Sequence, residues 1–452
     1  MEKIACAPLL PLKNNRVGGN FVNKVRNFSE EIQSGAFDRP FAWLYGAGCE
    51  AQQRARYLDA LKEFDALFGA GRACQLFSAP GRTEVGGNHT DHQRGRVLAA
   101  SVNLDVIGVA SRNNDGVIRI QSKGYPRDEV RIDALEARPE EEGKACALIR
   151  GVAARFLALG YRIGGFDAYT TSDVLGGSGL SSSAAFEVLV CAILSGLFNE
   201  GRVPPVEAAK ISQYAENVYF GKPSGLMDQT ASAVGGFVAI DFENLDRPSV
   251  RKVDFDLQKS GYRLCIVDTG GNHADLTADY AAIPQEMQEV AACFGKQVLR
   301  EVPKETFYQQ LGSLYPKVSN RAVARAIHFY EDNDRAPQQA AALEAGDFPR
   351  FLELVIASGR SSAAYLQNLF SPADPAHQGL TVALALSEKL LAGCGAWRVH
   401  GGGIAGTIQA YVPEEKLEGY REAIESVYGA GSCHVLQIRP IGMCEVTETL
   451  GQ

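Results

Sequence analysis

Three glycines in four residues, Gly176, Gly177 and Gly179, run straight into Ser181-Ser182-Ser183-Ala184. A 13-residue apolar stretch follows, Phe186 to Phe198, whose one charged member is Glu187. Phe166 to Thr171, just upstream, alternates polar and apolar residues in the strand manner. Strand, glycine turn and apolar helix follow in that order, with a helix predicted from about Ser182 to Phe198. Such a turn also gathers unpaired backbone amides at a helix start. Glycine lets the backbone come close to an anion, and the positive end of the helix favours it. Taken alone, the run is equally a serine-capped junction. No lysine follows the glycines, so it is not a Walker loop.

The surrounding pattern supplies the other expected elements. Leu58, Leu61, Phe64 and Phe68 form a helical stripe stopped by Gly69 and Gly71. Gln75 to Ala79 reads as a short strand ending at Pro80-Gly81, and Val97 to Ala110 as a second strand. A helix after Pro204-Pro205 carries Val206, Ala208, Ile211, Ala215 and Val218 on its buried side. Phe237–Asp241, Leu264–Asp268, Thr407–Val412 and Val435–Ile438 read as strands, and Arg321–Leu391 as helices interrupted near Pro372 to Pro375. This organisation predicts an N-terminal extension over 1–50 and two domains over 51–245 and 246–452.

Charge and cysteines narrow the function classes. A formal charge of −8 gives no general attraction to nucleic acid or to an anionic membrane, so an anionic ligand needs a local site. The apolar stretch Phe186–Phe198 is too short to span a bilayer. The ten cysteines form no C-x-x-C pair and no zinc-like cluster, which fits free thiols in a reducing compartment. Met1 to Leu12 is broken by Pro8 and Pro11 and does not read as a signal peptide, so the protein is expected to be cytoplasmic.

Three further segments carry chemistry. Pro80 to His92 (PGRTEVGGNHTDH) crowds Arg, Asn, His and Asp side chains that suit hydrogen bonding to a polyol. Gly225-Leu226-Met227-Asp228-Gln229 sets a carboxylate after a turn. Arg398-Val399-His400-Gly401-Gly402-Gly403 allows a tight backbone pass. Each is weak by itself; a polar loop, a capping Asp and a hairpin turn would account for them singly.

Together the four segments resemble the galactokinase family of the GHMP kinase superfamily, from about Phe68 to the C-terminus. Pro80–His92 is similar to the family's P-G-R-V-N-L-I-G-E-H-T-D-Y, and Gly177–Ala184 to G-x-G-L-S-S-S-A. Gly225–Gln229 is similar to G-I-M-D-Q, and Gly401–Gly406 to G-G-G-F-G-G. The resemblance implies a two-domain α/β kinase with its active site in the cleft between domains. It implies ATP-dependent phosphorylation of a sugar at C1, with galactose the expected substrate. Arg82 and Asp228 fall at the catalytic positions. Gly177, Ser178, Gly179, Leu180, Ser181, Ser182 and Ser183 fall at the nucleotide-phosphate positions, and Ser183 and Glu216 at those of Mg²⁺. Asn88, His89, Asp91, Gly225 and Tyr280 fall at sugar contacts. The implied partners are a small sugar and ATP, with no nucleic acid, membrane or protein partner.

Departures cluster around the sugar. Asn88 stands where the family has glutamate, Thr83-Glu84-Val85-Gly86 where it has V-N-L-I, and His92 where it has tyrosine. With a neutral residue at 88, tolerance at C6 of the sugar is expected to widen. A kinase for a uronic acid or a pentose, or a non-catalytic sugar sensor on the same fold, are the competing readings. Retention of Arg82, Ser183, Glu216 and Asp228 argues against the sensor.

Overall fold

The computed structural model describes residues 27–174, 179–271 and 276–451. Gly177 and Ser178 of the expected phosphate loop lie outside the described residues. Twelve strands occur among those described. In chain order they are β1 (Gln75–Gly86), β2 (Arg96–Arg112), β3 (Val117–Ser122), β4 (Arg127–Arg131), β5 (Phe166–Ser172), β6 (Phe237–Asp241), β7 (Ser249–Val253), β8 (Tyr262–Asp268), β9 (Ala396–Val399), β10 (Thr407–Pro413), β11 (Cys433–Leu436) and β12 (Cys444–Glu445). The larger sheet runs β12-β1-β2-β5-β3-β4, with β6 and β7 continuing from β2. All its pairings are antiparallel except β3 with β5. The smaller sheet is antiparallel, in the order β11-β8-β10-β9.

β2 explains its own near-continuous apolar sequence. β1 pairs along one side; on the other, β6 pairs with Arg96–Ala100 and β5 with Val106–Arg112. Both faces are covered, as a strand without alternation requires. Phe77, Ala79, Ala110 and Ala168 meet the helix Ser182–Asn199 and its neighbours on one face. Leu76, Ile107, Val109 and Tyr169 point the other way, as the period of two demands. That second face is closed by three helices, Phe28–Gln33, Asp38–Tyr45 and Glu50–Phe68. Residues 28–45 are therefore part of the core and not a peripheral extension. Phe37 and Phe41 are 0% exposed, and burying such side chains stabilises by about 1.5–3 kcal/mol each. Beneath them the buried Asp105 accepts hydrogen bonds from Tyr45 (2.7 Å), Arg56 Nη1 (2.6 Å) and Arg439 Nη1 (3.0 Å), tying these helices to the C-terminal segment.

Other expectations shift in register. β1 does not stop at Ala79; it continues through Pro80 to Gly86, absorbing the proline at a register irregularity between Pro80 and Arg82. Val435–Ile438 becomes β11 ending at Leu436, with Ile438 making a single bridge to Val102. The helix Pro205–Tyr214 opens into a wide turn over Ala215–Phe220, which advances the side-chain phase. Val218, expected inside, is 51% exposed, and Glu216 is buried instead. The position expected as a domain boundary, 245/246, falls in the β6–β7 connection within one sheet. The two sheets also share one apolar core that includes Leu264, Ile266, Tyr411 and Leu436. The helix Ser182–Asn199 is apolar and long enough to cross a membrane, yet 67% of it is buried against the rest of the chain.

Candidate active site

β1 carries Arg82 to the junction of the two sheets, and the helix Met227–Val234 brings Asp228 to it in its first turn. The pair is bidentate: Arg82 Nε donates to Asp228 Oδ1 at 2.6 Å and Nη2 to Oδ2 at 2.7 Å. Arg82 Nη1 also donates to the Gly179 carbonyl, and Ser181 Oγ donates to Asp228 Oδ2. Burial by itself would raise the Asp228 pKa. The Arg82 charge, with the hydrogen bonds from Arg82 and Ser181, more than offsets it and holds the carboxyl below the ordinary carboxylate value. Asp228 is thus ionised and weakly basic.

Ser181 has φ +56° and stands at the N-terminus of the helix Ser182–Asn199. Its hydroxyl donates to Asp228 Oδ2 and so supports the carboxylate. Leu180 turns a fully buried side chain into the core and offers a ligand only its backbone. Ser182 and Ser183 line a cavity of about 820 Å³, together with Lys123, Lys144, Tyr125 and Thr171. Ammonium groups, a ring and hydroxyls around that volume suit a nucleotide.

Behind Ser183 the wide turn presents Glu216. Ser183 Oγ donates to Glu216 Oε1 at 3.3 Å, and Lys222 Nζ sits on the same oxygen at 2.8 Å. Gln229 Nε2 reaches Glu216 Oε2 at 2.8 Å and Glu187 Oε2 at 3.4 Å. A hydroxyl and a carboxylate, with an ammonium group already attracted to them, suit a hard cation that keeps most of its water and takes further ligands from phosphate, as Mg²⁺ does. No cluster of three His, Cys, Asp or Glu occurs among the described residues, so a site built wholly from protein ligands is not offered.

On the other side of Arg82 lies the polyol end. His89, at φ +58°, bonds through Nε2 to the Gly402 carbonyl (2.9 Å), leaving Nδ1 without a hydrogen-bond partner among the described residues. Burial is the main cause that pushes its pKa down to about 4, so the ring is neutral near pH 7. Asp91 lies against Gly225, where an added Cβ would meet Asp91 Oδ2 at 2.3 Å. Tyr280 donates to the Gly403 carbonyl (2.8 Å) and packs on Gly402. The glycine run is thus the wall that His89 and Tyr280 lean on.

Asn88 departs from expectation. It is 0% exposed, and its amide is spent on the protein. Nδ2 donates to Glu84 Oε1 (2.9 Å) and Gly401 O (2.7 Å), while Oδ1 accepts from Asn368 Nδ2 (2.9 Å) and Ser362 Oγ (3.2 Å). With four partners it has no hydrogen-bonding capacity left for a sugar. His92 is exposed at the edge of this cluster, its ring centroid 6.2 Å from that of His89 and its backbone N–H donating to Asp91 Oδ1 at 3.0 Å.

Sequence reading missed Glu84, Ser181 as a partner of Asp228, Lys222, and His400. His400 is buried and links Thr83 Oγ1 (3.0 Å) to Thr407 Oγ1 (2.9 Å) beside Gly179. Only Glu84 left a signal, lying two residues after Arg82 and so on the same face of a strand.

Comparison with known proteins agrees with this geometry. Residues 147–236 match the family described as GHMP kinases N terminal domain, and residues 62–112 match the galactokinase galactose-binding signature. A galactokinase of Streptomyces coelicolor is 30% identical over 374 residues, covering 82% of this chain and 92% of the relative. One from Glaesserella parasuis is 31% identical over 376 residues, covering 81% and 92%. A solved Lactococcus lactis galactokinase complexed with galactose superposes with a TM-score of 0.73 at 25% identity, over 85% of this chain and 98% of that one. A mevalonate kinase structure shares the fold, with a TM-score of 0.58 at 14% identity.

Proposed function

Because the chain belongs to the galactokinase family of GHMP kinases, we propose that it transfers the γ-phosphoryl group of ATP to the C1 hydroxyl of galactose. The observation that carries this is the Arg82–Asp228 pair, closed by two hydrogen bonds between the nucleotide-sized cavity and the polyol cluster. In the reaction the C1 oxygen forms a bond to phosphorus as the bond to the β-phosphate oxygen breaks, and ADP leaves. Asp228 Oδ orients the C1 hydroxyl and accepts its proton late, since a carboxylate held below its ordinary value is a poor early base. Arg82 is placed to offset charge on the transferring group. Ser182 and Ser183, at the helix start, offer hydroxyls and amides to the phosphates. Mg²⁺, held by Ser183 Oγ and Glu216, would neutralise phosphate charge there. His89 Nδ1, Asp91 Oδ2 and the edge of Gly225 face the sugar.

ADP release measured with galactose, glucose, arabinose and galacturonate tests this reading. Turnover is expected to be highest with galactose. Galactose binding without ADP release would leave a sensor, and a better pentose or uronate would move the substrate. The metal assignment has its own test. Glu216→Gln is expected to raise the Mg²⁺ concentration for half-maximal rate at least about tenfold, the lower end of what losing a metal-supporting group costs. An unchanged Mg²⁺ titration would remove Glu216 from that role.

A further inference from the structure

Glu84 lies 4% exposed on β1, two residues after Arg82, and holds one oxygen that no described residue engages. Its Oε1 accepts from Asn88 Nδ2 (2.9 Å) and from Arg398 Nη2 (2.7 Å), and Arg398 is itself 0% exposed. Among the described residues its Oε2 accepts no hydrogen bond, and it is not one of the fully buried atoms left without a partner. Asn88, by contrast, is saturated. Arg82 and Glu84 pair in unbroken register with Ser101 and Ala99, so their side chains share a face of β1. Two residues along a strand cover about 6.6 Å, close to the width of a pyranose ring. With the anomeric oxygen at Arg82 and Asp228, Glu84 meets the far side of the ring.

We propose that Glu84 is the carboxylate that reads the sugar in this chain. Its Oε2 accepts a hydrogen bond from a hydroxyl remote from C1, which for galactose is the C6 hydroxyl, and its charge turns away a uronic acid. Asn88 and Arg398 are positioning residues that fix the carboxylate. The pair stands in the reverse order from the family motif, in which asparagine precedes glutamate by four residues. The carboxylate is therefore kept in the pair and moved to its other member. Burial, the largest influence, leaves the Glu84 carboxyl above its ordinary value, and the Arg398 and Arg82 guanidiniums limit the rise. The proposal rests on the galactokinase reading and names the group that sets its specificity.

The experiment compares kcat/KM for galactose, 6-deoxygalactose and galacturonate in the full chain and in Glu84→Gln. The natural protein is expected to prefer galactose over 6-deoxygalactose by about tenfold or more, the worth of a hydrogen bond to a charged acceptor. It is expected to reject galacturonate more strongly still. Both preferences are expected to shrink at least tenfold in Glu84→Gln. Unchanged ratios in a variant that melts like the natural protein overturn the proposal. So does a natural protein that uses the three sugars equally. If Glu84→Gln does not fold, Glu84→Asp decides. It keeps the charge but retracts the oxygen, so galacturonate stays excluded while the preference over 6-deoxygalactose falls about fivefold or more; an unchanged preference overturns the proposal. A natural protein that turns over another sugar and not galactose sinks the galactokinase reading instead. The deoxy analogues of that sugar then test Glu84 separately.

Discussion

Asp228→Asn is expected to lower kcat by roughly 10²–10⁴-fold, the range for losing a positioned proton acceptor, while the dissociation constant for ATP changes little. The amide keeps the shape of the carboxylate, so Arg82 and Ser181 still find an oxygen. What disappears is the negative charge toward which Arg82 Nε and Nη2 both point. Nucleotide contacts through Ser182, Ser183 and the cavity lining are not touched by the change. Kinetics on ADP release and nucleotide binding by calorimetry separate the two effects. Turnover within about threefold of the natural protein would take the carboxylate out of the mechanism. Arg82→Met is expected to cost roughly 10²–10³-fold in kcat, and it also removes the charge that keeps Asp228 ionised.

The pH profile follows from the same pair. Asp228 has its folded pKa depressed, so its ionised form persists down to and below the ordinary carboxylate value near about 3.9. Its contribution to stability is present above that value and is lost only as pH falls through the lower folded value. His89, pushed down to about 4 and first of all by burial, is neutral at pH values well above that and gains its proton only on acidification toward it. Neither group is expected to impose a limb on kcat between pH 6 and about 8.

How much of this was legible in the sequence depends on how far each partner lies along the chain. β2, β5, β6 and the helix Ser182–Asn199 follow from local pattern, because their apolar periods are long and uninterrupted. β1 was cut short because Pro80-Gly81 reads as a stop. The chain instead passes the proline at a β-bulge, where its missing N–H does no harm. Residues 28–45 read as part of an extension because of the mixed polar composition of the first 50 residues. Their Phe37, Phe41 and Tyr45, spaced four apart, were the helical signal. The wide turn at Ala215–Phe220 changed the phase that put Val218 inside, and no rule of period 3.6 anticipates it. Arg82 and Asp228 could be paired only through the resemblance. The role of Asn88 could not be read at all, since its amide is filled by Gly401, Ser362 and Asn368, all brought in by the distant C-terminal half.

That filling reverses the expected consequence of restoring glutamate at 88. Asn88→Glu sets a second carboxylate against Glu84 Oε1, where Nδ2 now donates at 2.9 Å, and against the Gly401 carbonyl at 2.7 Å. Two donor bonds become two repulsive contacts inside a fully buried site. At about 4 Å and an effective dielectric of 20, two like charges cost about 4 kcal/mol, a large share of a typical domain's stability. The variant escapes part of this by binding a proton between the two carboxylates, which raises one folded pKa above its unfolded value. The folded state then holds more protons than the unfolded one, so stability falls as pH rises through that folded value and recovers on acidification. Asn88→Glu is therefore expected to lose about 3 kcal/mol or more at pH 8 and to regain part of it by pH 5. Adding Glu84→Asn restores one carboxylate facing one amide, and the double exchange is expected to recover at least about 2 kcal/mol, as coupled neighbours do. Urea unfolding of the natural protein, Asn88→Glu, Glu84→Asn and the double exchange at pH 8 and pH 5 measures both terms. An Asn88→Glu protein within about 0.5 kcal/mol of the natural one at pH 8, the scatter of ordinary surface changes, would mean that Asn88 and Glu84 do not meet as the hydrogen bond between them requires.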